Sequence, residues 1–192
     1  MNYIFRLYLP MSTRQEIAAQ NRQAFLDAAI HVFRLHGINA PLQLVIDQAQ
    51  LGRATFYRNF QDRQALVLAL MEQALQRLER KAEYYAQFND GLIQLLENHV
   101  ENLPYLTALM EYWRVIGRDD PRMIEIYQHR NAILQPLIDK AIKHNVCRAD
   151  LTTQDYSMIT AILRSSFQGL TETEQRHLAS RAIDLLLNGI RI

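Results

Sequence analysis

The stretch Leu42 to Phe60 reads LQLVIDQAQLGRATFYRNF. Leu42, Val45, Ile46 and Ala49 recur at i, i+3, i+4 and i+7, which predicts a short helix with a single apolar stripe. The stripe breaks at Gln50-Leu51-Gly52. In that three-residue connection Leu51 is expected to plug the angle between two helices, and Gly52 to relieve backbone strain. A second short helix is expected from Arg53 to Phe60, where only Phe56 and Phe60, four apart, need to face inward. Arg53, Thr55, Tyr57, Arg58 and Asn59 are left to face out, a surface rich in hydrogen-bond donors and without a carboxylate.

Two helices on a tight turn, the second bearing Arg, Thr, Tyr and Asn, form the layout of a DNA-binding helix-turn-helix. At 1.5 Å rise per residue the second helix is roughly 12 Å long, enough to lay one face in a B-DNA major groove. Candidate contacts are Gln43, Arg53, Ala54, Thr55, Tyr57, Arg58 and Asn59. Arg53 is the candidate for a base edge, Ala54 for a thymine methyl, and Thr55, Tyr57 and Asn59 for phosphates.

At these residues the chain resembles the TetR family of transcriptional regulators. The stretch AQLGRATFYRNF carries the resemblance, with FLDAAIHVFRLHG before it and DRQALVLALM after it. It departs from the family pattern at several points. Gln50 stands where a turn glycine is usual, Gly52 where a capping Ser or Thr is usual, and Asn59 where His is common. Ala40-Pro41 replaces a Thr/Ser start, and the loop after Gly37 is one residue short. Pro41 suits a first helical position, and Gly at an N-cap costs only a few tenths of a kcal/mol relative to Ser. These departures bear on operator sequence more than on fold.

The chain has 192 residues, 49% of them hydrophobic, enough for a sizeable core. Its net charge of +1 is unevenly spread. Residues 1 to 60 hold six Lys/Arg against three Asp/Glu, and residues 61 to 192 fifteen against seventeen, so the basic bias lies with the helix-turn-helix. The single cysteine, Cys147, excludes an intrachain disulfide and fits a reducing cytosol, with a small buried side chain as its expected role. The opening MNYIFRLYLP lacks the cleavage site and extended apolar region of a signal peptide, and Met11 reads as a natural start. No run approaches a membrane span, and the expected location is the cytoplasm.

Upstream of the helix-turn-helix, residues 14 to 36 form a helix whose Phe25, Ala28, Ala29, Val32 and Phe33 keep one face, closed by Gly37. Downstream, Asp62 is expected to cap a fourth helix with Val67, Leu70, Met71, Ala74, Leu75 and Leu78 inward, continuing toward Phe88. Further helices are expected near 90 to 101, 103 to 116, 120 to 145 with a kink at Pro136, 152 to 169 and 172 to 189. The fold class is therefore all-α, with about nine helices. A helix-turn-helix domain at 13 to 80 joins a helical regulatory and dimerisation domain at 81 to 192.

Enzyme chemistry finds little support. A di-iron carboxylate centre needs two Glu-x-x-His motifs and two further Glu. Only Glu174-Gln175-Arg176-His177 fits, and no phosphate loop, nucleophile elbow or zinc spacing occurs. No catalytic residue, metal or cofactor is assigned.

Most proteins of the family resembled are repressors released by a ligand, so the resemblance implies double-stranded operator DNA, a second copy of the chain and a small-molecule effector as partners. Aromatic and Met-rich helices place an apolar or aromatic effector among His99, Tyr105, Met110, Trp113, Tyr127, Arg164 and Phe167. The last two helices carry surplus apolar stripes, and the candidate dimer interface comprises Ile162, Ser165, Ser166, Gly169, Ala182, Ile183, Leu186, Leu187 and Ile190. The alternatives are an effector-independent DNA-binding protein and a helical enzyme or interaction module.

Overall fold

A computed structural model describes residues 13–98, 120–165 and 171–190, and every regular element among them is helical. In chain order these are α1 (Arg14–His36), α2 (Leu42–Gln48), α3 (Arg53–Asn59), α4 (Arg63–Tyr85), α5 (Gly91–Glu97), α6 (Pro121–Lys143), α7 (Thr153–Ser165) and α8 (Glu172–Ile190). Local chemistry sets several of the starts. At α1 the Thr13 hydroxyl accepts from the Glu16 amide and the Glu16 carboxylate accepts from the Thr13 amide, so two otherwise orphaned donors are satisfied. Asp62 caps α4 through the Ala65 amide at 2.8 Å. Thr171 and Glu174 make the same reciprocal pairing at the head of α8, so the one Glu-x-x-His glutamate serves as a helix cap.

Asp120 caps α6 ahead of Pro121 and also accepts from the Gln64 amide at 3.3 Å, tying the start of α6 to the start of α4. The Arg122 side chain holds the Asp120 carboxyl below its ordinary value. Its contribution to stability is therefore present above the unfolded carboxylate range and lost as pH falls through the lower folded value.

Two apolar clusters form the interior. The first gathers Phe25, Val32 and Phe33 of α1, Val45 and Ile46 of α2, Phe56 and Phe60 around α3, and Leu66 to Met71 of α4. The second gathers Tyr85, Leu92, Leu95 and Leu96 with Leu134, Leu137 and Ile138 of α6, Tyr156 and Ile159 of α7, and Ala179, Ile183 and Leu187 of α8. α6 spans both, because Met123 and Ile126 join the first cluster while Leu134 onward joins the second. It runs unbroken through Pro136. Cys147 is buried in the second cluster, and burial pushes its thiol pKa up.

Two helix ends differ from the sequence reading, those of α4 and α5. α4 stops at Tyr85, where the Ala86 amide closes on the Ala82 carbonyl, so Phe88 lies in the following turn and meets the Tyr84 ring edge-on outside the core. α5 is the short Gly91–Glu97, and α7 is described to Ser165. The helix expected at 103 to 116 lies outside the described residues. Among those described, no helix is long and apolar enough to cross a membrane.

The α4–α5 turn depends on Gly91. A Cβ there would stand 1.9 Å from the Tyr85 carbonyl oxygen, a backbone atom that cannot rotate away. Gly91→Ala is expected to destabilise the chain by about 1–3 kcal/mol as the turn is forced open. Urea denaturation checks this, and an unchanged midpoint would refute it.

Candidate nucleic-acid interface

α2 is fixed by Val45 and Ile46, both buried, with Leu42 and Ala49 packed at the edge of the same core. Helix formation begins after Pro41, which occupies the cap position rather than the first helical one. The connection to α3 differs from expectation in one respect. Gln50, not Gly52, takes the left-handed conformation, with φ of 54°. Gly52 has an ordinary extended backbone, φ −75° and ψ 149°, and serves as the N-cap of α3 without a side-chain hydrogen bond. The turn thus keeps its backbone shape where glycine is absent, at the cost of a strained glutamine. Leu51 does pack into the angle against the first core.

α3 spans seven residues, and Phe60 is its C-cap. Phe56 and Phe60 are buried and meet Phe25 of α1 edge-on, with ring centroids 5.2 and 6.3 Å apart. These aromatic contacts clamp the back of α3. Its front presents Arg53, Ala54, Tyr57 and Arg58 to solvent. The Tyr57 ring packs edge-on against Phe56 at 5.3 Å, and the Arg53 guanidinium lies 5.7 Å over the Tyr57 ring, so both side chains are ordered by neighbours. Arg58 donates to the Thr55 hydroxyl at 3.0 Å.

Thr55 and Asn59 are half-buried, and both serve the helix itself. The Asn59 amide donates to the Thr55 carbonyl at 2.8 Å, which turns it back along α3 rather than outward. Gln43 is exposed on α2 and donates to Asp47 at 2.7 Å, holding that carboxylate on its own helix.

Two arginines escaped the sequence reading. Arg22 of α1 donates to the Asn59 carbonyl at 3.3 Å and lies 4.6 Å over the Phe60 ring, bracing the end of α3. Arg63 donates to the Ile38 carbonyl at 2.7 Å and covers the Phe33 ring at 5.9 Å. Their partners are 37 and 25 residues away, beyond any local periodicity.

Of the predicted effector residues, His99, Tyr105, Met110, Trp113 and Phe167, and the side chain of Arg164, lie outside what is described. Tyr127 is half-buried against the first core, with the Arg130 guanidinium 5.1 Å over its ring. Of the dimer residues, Ser166 and Gly169 and the side chains of Ser165 and Ile190 are likewise outside. Ile183 and Leu187 point into the chain's own second core, and Ala182 and Leu186 pack beside them. Ile183 and Leu187 are buried where α8 meets α5 and α7, whereas Ala182 and Leu186 stay half-exposed beside them. Exposed apolar side chains on α7 and α8 include Ile162, one of the expected dimer residues, at 43%, and Met158, Leu178 and Leu185 at 56, 42 and 58%.

Residues 25–70, α1 to the first turns of α4, match the family described as "Bacterial regulatory proteins, tetR family". No curated protein matches the chain significantly by sequence. Solved structures do. A TetR transcription regulatory protein from Mycobacterium vanbaalenii is 21% identical with a TM-score of 0.65, over 94% of this chain and 100% of that one. A TetR transcriptional regulator from Streptomyces coelicolor is 26% identical with a TM-score of 0.65, over 88% and 98%. LfrR of Mycobacterium smegmatis, a TetR-like regulator solved in complex with proflavine, is 15% identical with a TM-score of 0.65, over 88% and 96%. Residues 25–70 thus carry the helix-turn-helix pattern of the tetR family of bacterial regulatory proteins, and the helices that follow share the fold of solved TetR-family transcriptional regulators.

Proposed function

We propose that the chain binds a palindromic operator as a homodimer and acts as a repressor released by a small-molecule effector. The observation that carries this reading is the front of α3, where Arg53, Ala54, Tyr57 and Arg58 are exposed with no carboxylate among them, on a helix locked from behind by Phe56 and Phe60. Arg53 reads a base edge, Ala54 lies against a thymine methyl, and Tyr57, Arg58 and Gln43 meet phosphates. Thr55 and Asn59 support them through the bonds that hold Arg58 and the end of α3. The division of labour falls near residue 80, with DNA binding over 13 to 80 and regulation and dimerisation over 81 to 192.

Selection of bound sequences from a random DNA pool tests this directly. A palindromic site with two half-sites is expected, and recovery of no preferred sequence would defeat the proposal. Dimerisation is assigned to α7 and α8, supported by the exposed Met158, Ile162, Leu178 and Leu185. Leu185→Asp is expected to yield a folded monomer by light scattering at micromolar concentration, with operator affinity sharply reduced. Leu185 lies outside the protomer core, so an undisturbed dimer would refute the assignment. Release by an effector is supported by α6, which is packed into both cores and so leans on the DNA-binding unit whenever the regulatory helices shift. The related LfrR fold holds a small molecule, proflavine.

A further inference from the structure

Arg130 stands at the joint of the two cores. On α6 it lies between Met123 and Ile126, which belong to the first core, and Leu134 and Ile138, which belong to the second. Its neighbour Ile133 packs against both. The residue is half-buried, yet its Nε is sealed from solvent and has no hydrogen-bond partner. One terminal nitrogen donates to the Asn131 side-chain oxygen at 3.0 Å, and the guanidinium lies 5.1 Å from the centre of the Tyr127 ring. Fully buried Tyr156 of α7 lies within electrostatic reach.

Among the described residues no carboxylate is within ion-pair distance of Arg130. Glu79 of α4 has His129 as its neighbour at 3.9 Å, and both are exposed. An arginine stays protonated in a protein, so among the described residues this is a partly desolvated cation with no counter-charge. Such an arrangement weakens the protomer and leaves a donor edge unused by it.

We propose that Arg130 anchors the carboxylate of an organic-acid effector at this joint. The inference rests on the effector reading above and adds a carboxylate to the apolar or aromatic effector expected from the sequence. The guanidinium edge, Nε with an adjacent terminal nitrogen, matches a carboxylate's two oxygens. Among the described residues it is a single cation in tyrosine and aliphatic surroundings and balances one negative charge, which favours a monocarboxylate over a phosphate dianion. Because Nε is sealed, an acid reaches it only if the Tyr127 ring or α6 gives way. Binding therefore selects a different seating of α6 against α4 and the DNA-binding core.

The test uses the full chain, its selected operator, and five probes: octanoate, phenylacetate, their neutral amides octanamide and phenylacetamide, and inorganic phosphate. At least one carboxylate is expected to raise the melting temperature and to lower operator affinity about fivefold or more. Its amide should act at least about tenfold more weakly, and phosphate should have no effect. Without any probe, Arg130→Met should melt no lower than wild type, since it removes an uncompensated cation, and it should lose the carboxylate response. Arg130→Lys keeps the charge but loses the fork, and should weaken the response, which covers the case in which Arg130→Met does not fold. Inaction of both carboxylates, equal action of acid and amide, equal action of phosphate, or a full response in both variants would each overturn the inference. Wild type that binds no operator sequence would instead defeat the proposed function, and the melting measurements would still judge the acid site.

Discussion

Phe56→Ala is expected to remove about 3–5 kcal/mol of stability from the first core and to abolish operator binding with it. Phe56 is fully buried at the centre of an aromatic group in which Phe25 and Phe60 approach its ring at 5.2 and 5.7 Å, and Tyr57 stands on its edge at 5.3 Å. Alanine would leave a void on the inner side of α3, a helix of seven residues with no side-chain cap. A helix that short is not stable by itself in water and holds its shape only through packing. The second core does not include Phe56, so the loss should be regional. Urea denaturation is expected to show an early transition for the helix-turn-helix, with part of the helical signal retained. A single transition near the wild-type midpoint, together with retained operator affinity, would show that Phe56 is not what positions α3.

Arg53→Ala is expected to cost about 1–3 kcal/mol of operator binding and to relax the sequence preference at one position of each half-site. Arg53 is exposed at the first turn of α3, so its loss leaves the core untouched, and the protein should melt as wild type does. Tyr57→Ala should behave differently. Its ring lies beneath the Arg53 guanidinium and the residue is exposed, so its loss should weaken all sequences alike while partly releasing Arg53. Binding titrations against the selected operator and single-base variants separate the two patterns. Arg53→Ala with unchanged affinity and unchanged preference would remove Arg53 from the interface.

The helix-turn-helix was legible because its information is local. The spacing of Val45, Ile46, Phe56 and Phe60 defines which sides of α2 and α3 are buried, and the same spacing leaves Arg53, Tyr57 and Arg58 outside. Asp62 and Gly37 announced the start of α4 and the end of α1 for the same reason, since caps act on amides and carbonyls within one turn. The backbone of the turn was read at the wrong residue. A glycine invites the left-handed conformation, but the path from Ala49 to α3 requires it at Gln50 whatever residue stands there.

Periodicity was least informative where helices are apolar on more than one side. The stripe containing Ala182, Ile183, Leu186 and Leu187 reads as surplus in isolation, and only packing against α5 and α7 shows that Ile183 and Leu187 fill the protomer's own core while Leu185 stays outside. Asn59 looked available for phosphate because donors on a short helix face out by default, yet its amide returns to the Thr55 carbonyl.

By itself the sequence determined the all-helical class, the helix-turn-helix and its basic front, because hydrophobic spacing, caps and charge act over a few residues. Tertiary structure alone decided the bracing of α3 by Arg22, the two-core course of α6 and the unpartnered Nε of Arg130. Each of these depends on which distant groups approach a side chain and which do not, and that is set when helices far apart in the chain pack together.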